Sequence, residues 1–345
     1  MESGHSSTVE SDDSRSFPSL RKSWQERGIS PQVADVMLQS WRGSTRKQYK
    51  TYWDRWIKFC SRKQVDSVSP PIEMVLEFLY ELYSEGLSYS SLNTARSALS
   101  VLIVSTAVPV GEHPLVKRFM KGVYQARPVT SRYSDIWDAN VVLDYLRKLT
   151  PVRKLSLVNL SIKLVLLFSL TTAQRGQTLH LFDIDHMDIR NKCSRVTFYL
   201  QEHIKQSRCG KAFPKVDVHA YAPDRSICPI TSLNEYIART GKLRGSETRL
   251  LISTIKPHTR VSRDTVSRWI KLGLSRAGIN TNRFKAHSTR SASVSAAMRS
   301  SVPVSDILQR AGWSSAKTFA KYYNKPLAKC SSENFSQAIL SSKNQ

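Results

Sequence analysis

A chain of 345 residues with 52 lysines and arginines against 27 acids carries a formal net charge of +25, far more than solubility requires. An excess of this size selects a polyanionic partner, and counterion release makes such binding weaken steeply as salt rises. The longest apolar run, residues 155–170, is broken by Asn159 and Lys163 and is too short and polar for a membrane span, so no membrane role is expected.

The length allows two domains, each with its own core. Five cysteines, Cys60, Cys193, Cys209, Cys228 and Cys330, are odd in number and lack CxxC pairs, which points to a reducing compartment and away from structural zinc. The polar, acidic N-terminus has no apolar stretch for a secretory machinery to read, so the protein is expected inside the cell.

In chain order, residues 1–17 are serine-rich and acidic with almost nothing to bury, and are read as a disordered tail. A helical pattern runs from Leu20 to Trp41. Ser44 then suits the N-cap of a helix whose buried stripe is Tyr49, Trp53, Trp56 and Cys60. Arg46, Lys47 and Lys50 lie off that stripe, where they can meet phosphates. A second helix follows Pro71, buries Ile72, Val75, Leu76, Leu79 and Leu82, and stops at Gly86. A third turns Leu92, Ala95, Leu99 and Leu102 inward and leaves Arg96 pointing out as a further candidate DNA contact; a fourth spans residues 114–124. Residues 18–125 therefore form a basic helical domain, its bland alternative being an ordinary bundle with solvated charges.

Residues 126–134, polar and containing Pro128, read as a linker before a second domain over 135–328. There Asp138 caps a helix running to Leu149, and residues 155–170 form a buried helix. Val196, Phe198 and Leu200, then Val216 and Val218, alternate with polar residues as a strand, a loose turn and a returning strand, with Lys205 ending the first strand. Helices follow over 229–240, 264–277, the segment bearing His287 and Arg290, 303–311 and 315–323. The fold class is mostly α with a small β-sheet. In a tail over 329–345, residues 331–340 carry Phe335, Ala338 and Ile339 on one face, suited to docking on a neighbouring subunit or on the chain's own domain.

The chemistry concentrates in a few segments. Leu170-Thr171-Thr172-Ala173-Gln174-Arg175-Gly176-Gln177-Thr178 places an arginine in a tight turn after an apolar helix. In Ala286-His287-Ser288-Thr289-Arg290, the imidazole and guanidinium are three residues apart, so both can reach one phosphate. Gly312-Trp313 follows, and then the phenols Tyr322 and Tyr323. Arginines fork onto phosphate oxygens and stay charged, so Arg175 and Arg290 together can neutralise a phosphodiester without a metal. Any one of these residues alone is more often structural; their joint order carries the reading. His203, His219 and His258 have no ligand spacing and no carboxylates cluster, so neither metal nor cofactor is expected.

Arg, His, Arg, Trp and Tyr in this order resemble the active-site series of the tyrosine recombinases of the phage-integrase superfamily. Segments 41–56, Lys256-Pro257-His258, Arg268-Trp269-Ile270-Lys271, residues 287–292 and 312–323 are most similar to DIRS-type recombinases of eukaryotic mobile elements. The resemblance spans residues 18 to 327. It implies a SAM-like core-binding domain and a C-terminal catalytic domain that cut and rejoin double-stranded DNA through a 3′-phosphotyrosyl bond. A homotetramer on two duplexes is implied as well, in the nucleus of a eukaryotic host.

The same resemblance assigns roles residue by residue. Arg175 and Arg290 hold the phosphate, Lys205 serves as general acid with Lys211 and Lys215 as alternatives, and His287 serves as base or phosphate donor. Trp313 stands where many relatives have a second histidine. Spacing to Trp313 in bacterial and phage relatives selects Tyr322 as nucleophile, whereas the Thr318-Phe319 pattern of mobile-element relatives favours Tyr323. Many relatives carry an acid where Thr178 stands, which weakens the expected support of Arg175. Two rival readings are a DNA-binding protein that has lost catalysis and a tyrosine-type topoisomerase.

Overall fold

The computed structural model describes residues 17–104, 108–190, 194–205, 207, 210, 212–313 and 315–327, without the side chains of Thr318, Lys321 and Tyr322. The tail expectations for residues 1–16 and 329–345, Lys211, Cys193, Cys209 and Cys330 lie outside the described residues. Cys60 and Cys228 are free, buried thiols. The chain divides into two compact units, Met1–Thr130 and Ser131–Gln345.

The first unit is helical throughout its described residues. Two helices, α1 (Pro18–Glu26) and α2 (Pro31–Gln39), replace the single pattern expected from Leu20 to Trp41. The break has a local cause: Gly28 adopts φ +76, and Pro31 then opens α2 behind a Ser30 cap whose hydroxyl accepts from Val33 N–H. Helix α3 (Gly43–Lys63) starts at Gly43 with Arg42 at the cap position, so Ser44 lies inside the first turn and caps nothing. Helices α4 (Ile72–Ser84), α5 (Tyr89–Leu102) and α6 (Pro114–Ala126) complete the bundle.

Its core is aromatic. Trp56, Phe59 and Phe78 meet at ring-centroid distances of 5.2–5.5 Å. The buried indoles are satisfied: Trp53 donates to Ala98 O at 2.8 Å and Trp56 to Ser67 O at 2.9 Å. Buried tryptophan is tolerated where its one N–H finds a carbonyl. Arg96 departs from expectation. It is half-buried, and its Nε, shielded from water beside Gly111, has no hydrogen-bond partner.

The second unit is built around α8 (Leu157–Thr172), capped by Ser156 and buried on nearly every side. An almost continuous apolar sequence suits a helix with no solvent face. Its one charge, Lys163, is fully buried and donates to Leu146 O at 2.7 Å and Leu149 O at 2.6 Å. Those carbonyls end α7 (Ala139–Lys148), capped at its other end by Asp138, so the lysine closes one helix from inside another. Burial pushes its ammonium down to about 8.

Three antiparallel strands in the order β1 (Met187–Arg190), β2 (Arg195–Tyr199) and β3 (Lys215–His219) form the sheet. Val196 pairs with Val218 and Phe198 with Val216, which puts all four on the buried face. The strand β1 was not expected, because its Met-Asp-Ile-Arg pattern is short and half-exposed. Strand β2 ends at Tyr199, so Lys205 does not end it and sits instead on an exposed turn beyond, beside buried Ile204.

The remaining helices are α9 (Gly176–Leu179), α10 (Pro229–Thr240), α11 (Arg263–Arg276), α12 (Ser288–Arg299), α13 (Val304–Ala311) and α14 (Ala316–Tyr322). At Gly273 of α11 an added Cβ would collide with Leu166 and Ile162 of α8, so a glycine permits that close crossing. Among the described residues, no helix is long and apolar enough to cross a membrane.

Candidate active site

The turn that ends α8 places the first arginine. Ala173 adopts φ +53, a left-handed C-cap, and the chain reverses so that Arg175 becomes the cap residue of the short helix α9. Gly176 keeps this turn against α11, where an added Cβ would press on Ser267 Oγ at 3.4 Å.

Arg290, on the first turn of α12, is wholly enclosed. Its Nη1 donates to Ala173 O at 2.7 Å and its Nη2 to Ala311 O. A guanidinium has five N–H donors; two serve these carbonyls, and the group also hydrogen-bonds the Tyr323 side chain. Nε is buried and has no partner. The carbonyls that close α8 and α13 therefore fix the plane of this group and tie it to the Arg175 turn. Trp313 lies 4.3 Å from the guanidinium carbon, and the Tyr323 ring lies 5.7 Å away. Trp313 and Tyr323 are themselves 4.3 Å apart.

His287 occupies the N-cap position of α12 rather than its interior, but its helical φ and ψ preserve the three-residue spacing to Arg290. Its Nε2 lies 3.2 Å from the Tyr323 phenol oxygen. The residue is exposed to solvent. Burial first, then the cations Arg175, Arg290, Lys205 and Arg132, push its pKa down to about 4. Because the side chain is exposed, the four cations weigh heavily beside burial, and the imidazole is neutral at physiological pH.

Arg175, His287 and Arg290 line one cavity of about 200 Å³, with Gln174, Arg263 and Ser267 among the other walls. Arg175 Nη1 is buried and has no hydrogen-bond partner, and Thr178 three residues on offers it no carboxylate. Burial and the facing Arg175 pull Arg290 down to about 9, still charged at neutral pH. Like charges gathered in a desolvated hollow repel one another, and an anion with several acceptor oxygens relieves both the repulsion and the unpaired donors.

The structure thus brings together Arg175, His287, Arg290, Trp313 and Tyr323. Lys205 is exposed and bears on His287 through its charge rather than by contact. The alternative Lys215 opens β3 and lines a different cavity with Asp217 and Arg310. The Tyr322 side chain lies outside the described residues. Arg46, Lys47, Lys50 and Arg96 belong to the other unit; Lys47 is exposed, Lys50 pairs with Asp54 at 2.7 Å, and Arg46 and Arg96 are half-buried. Sequence reasoning missed Arg132 and Arg263, whose proximity to the site arises only through folding.

The profile of the phage integrase family matches residues 144–329, more than half of the chain and every residue of this cavity. The chain belongs to the phage integrase family. Solved structures carry the same fold at low identity to this phage integrase. The Tn1549 transposon integrase in complex with transposon right-end DNA aligns with a TM-score of 0.54 and 12% identity over 94% of this chain and 98% of that one. A λ integrase dimer bound to a core site gives 0.52 and 16% over 90% and 78%. XerH recombinase bound to a palindromic difH substrate gives 0.52 and 13% over 79% and 72%. No curated protein matches the sequence. Mostly helical units with one small sheet and the catalytic fold toward the C-terminus agree with the fold class read from the sequence.

Proposed function

We propose that this phage integrase is an active DNA strand transferase, and the unneutralised cation cavity beside the Tyr323 phenol is the observation that carries the reading. A scissile phosphate in the cavity would take the free donors of Arg175 and the remaining N–H groups of Arg290. Tyr323 Oη attacks phosphorus and gives its proton to neutral His287, the bond to the 5′ oxygen breaks, and Lys205 supplies the proton that oxygen needs. The products are a 3′-phosphotyrosyl bond and a 5′ hydroxyl. Attack by a 5′ hydroxyl of a second duplex reverses the step, and bond energy is conserved without metal or nucleotide.

The finer reading is an element-encoded recombinase of the DIRS type that acts in the nucleus as a homotetramer on two duplexes. Its motifs around His287 and Trp313 support that origin, and the domains over 18–125 and 135–328 would hold the duplex. Incubation with a nicked suicide duplex tests the chemistry. The native chain and Tyr322→Phe should trap a covalent adduct, whereas Tyr323→Phe should not. Adduct formation by both variants would remove the nucleophile assignment, and none with the native chain would favour a DNA-binding protein without catalysis.

The occupied terminal nitrogens of Arg290 are the feature that speaks for that second reading, because two of its donors are already committed to carbonyls.

A further inference from the structure

The segment that follows Thr130 is held on two sides, and both holds reach the chemistry. On one side, Tyr133 Oη accepts from Lys285 N–H at 3.1 Å, and Trp137 Nε1 donates to Ser288 Oγ at 2.9 Å. Lys285 and Ser288 flank Ala286-His287. An Asp135–Arg283 ion pair and the Tyr133–Phe284 ring contact at 5.3 Å tie down the approach to the same loop. On the other side, Ile136 N–H donates to Pro326 O at 2.9 Å, and Ile136 bridges Leu327 in parallel register. Pro326 and Leu327 come directly after Tyr323-Asn324-Lys325.

We infer that residues 133–137 are the positioning element of the active site, setting His287 and Tyr323 against each other from behind. One feature makes the role specific. The Trp137 indole is buried and its N–H meets the Ser288 hydroxyl, a side chain that is itself fully enclosed, so the bond exchanges little with water. The chain around Tyr323 is also held from α12 and α14: Tyr323 O accepts from Ser295 Oγ at 2.8 Å, Lys325 N–H donates to that same hydroxyl at 3.1 Å, and Asn324 N–H donates to Phe319 O at 3.0 Å. One strap thus touches both chain segments that bear the 3.2 Å His287–Tyr323 pair. Trp137, Tyr133 and Ile136 are positioning residues; none of them lines the cavity.

The inference rests on the strand-transfer reading, and its test carries one readout that does not. Trp137→Phe and Ser288→Ala each delete one half of the indole–hydroxyl bond, and the double variant completes a cycle. Adduct formation should fall about tenfold in each single variant, with duplex affinity unchanged, and the double variant should fall no further. Independently of DNA, the His287 resonance followed by NMR should titrate above its native midpoint in both single variants, because a loosened loop lets the ring move away from the Arg175 and Arg290 cations. If Trp137→Phe fails to fold, Ser288→Ala alone decides the outcome.

Native cleavage rates and a native His287 titration in the folded variants would overturn the positioning role. No adduct from the native chain, together with shifted His287 titrations, would instead sink the strand-transfer reading and leave the strap standing.

Discussion

The two units bury different kinds of side chain. Among the described residues, Ser23 is the one buried polar side chain of the first unit, whose core is otherwise apolar and rich in tryptophan and phenylalanine. The second unit encloses Lys163, Arg244 and Arg290 along with many serines and threonines. In the first unit charges pair at the surface, as Arg62 with Glu81 and Lys63 with Glu77. Such exposed pairs contribute about 0–1 kcal/mol each. The buried cations of the second unit are answered by main-chain carbonyls instead of carboxylates, and Arg175 and Arg290 keep unpaired donors. Unpaired buried donors also occur singly at Arg96 and Arg244, but Arg175 and Arg290 line one cavity, where a single incoming anion can answer both.

Two substitution pairs and one titration test that contrast. The largest effect is expected at the arginines. Arg290→Ala should abolish adduct formation and also lower stability by roughly 2–5 kcal/mol, since two buried carbonyls lose their donors. Arg96→Ala in the first unit should leave cleavage chemistry intact and change stability by at most about 1 kcal/mol. Suicide-duplex trapping and denaturant melts check both, and a cleaving Arg290→Ala protein would end the case for a phosphate site.

Lysines come next. Lys163→Met fills the same space but takes the ammonium donor from the Leu146 and Leu149 carbonyls, of which Leu146 O keeps only Leu149 N–H among the described residues, for an expected loss of about 1–3 kcal/mol. Lys50→Met on α3 removes only an exposed pair with Asp54 and should shift stability by under about 0.5 kcal/mol. Equal melting temperatures for the two variants would show that the buried lysine contributes nothing as a helix closure.

The smallest effect is a titration. His287 has its folded pKa pushed down to about 4 from an ordinary 6.5, so the unfolded chain takes up its proton first as pH falls. Its contribution to stability is therefore complete above about 6.5 and is lost as pH drops through about 4. Inorganic phosphate in the cavity offsets the neighbouring cations, so its addition should move the His287 midpoint upward in an NMR titration.

Much of the fold was legible along the chain because local rules decide it. Alternating valines and phenylalanine mark β2 and β3, and the inward residues Leu92, Ala95, Leu99 and Leu102 of α5 follow from a 3.6-residue period. Capping was less so. Ser44 has the right chemistry for a cap, yet Arg42 occupies that position, because packing of the Trp53 and Trp56 face sets where the helix begins. The split between α1 and α2 depends on Gly28 and Pro31, a signal overridden by a continuous apolar pattern. Strand β1 is four residues long and relies on its pairing with β2.

For the site, the order Arg, His, Arg, Trp and Tyr, with the family resemblance it carries, nominated Arg175, His287, Arg290 and Trp313 and left Tyr322 and Tyr323 both open as the phenol. Only the tertiary structure decided how those groups are held. It buried Arg290 between the carbonyls of Ala173 and Ala311, added Arg132 and Arg263 to the cluster, left Lys205 on an exposed turn, and threaded Tyr133 to Trp137 behind both His287 and Tyr323. The reason is physical: chemical identity belongs to single residues and can be read one at a time, whereas desolvation, charge repulsion and hydrogen-bond geometry arise between residues that are distant along the chain and adjacent only once it has folded.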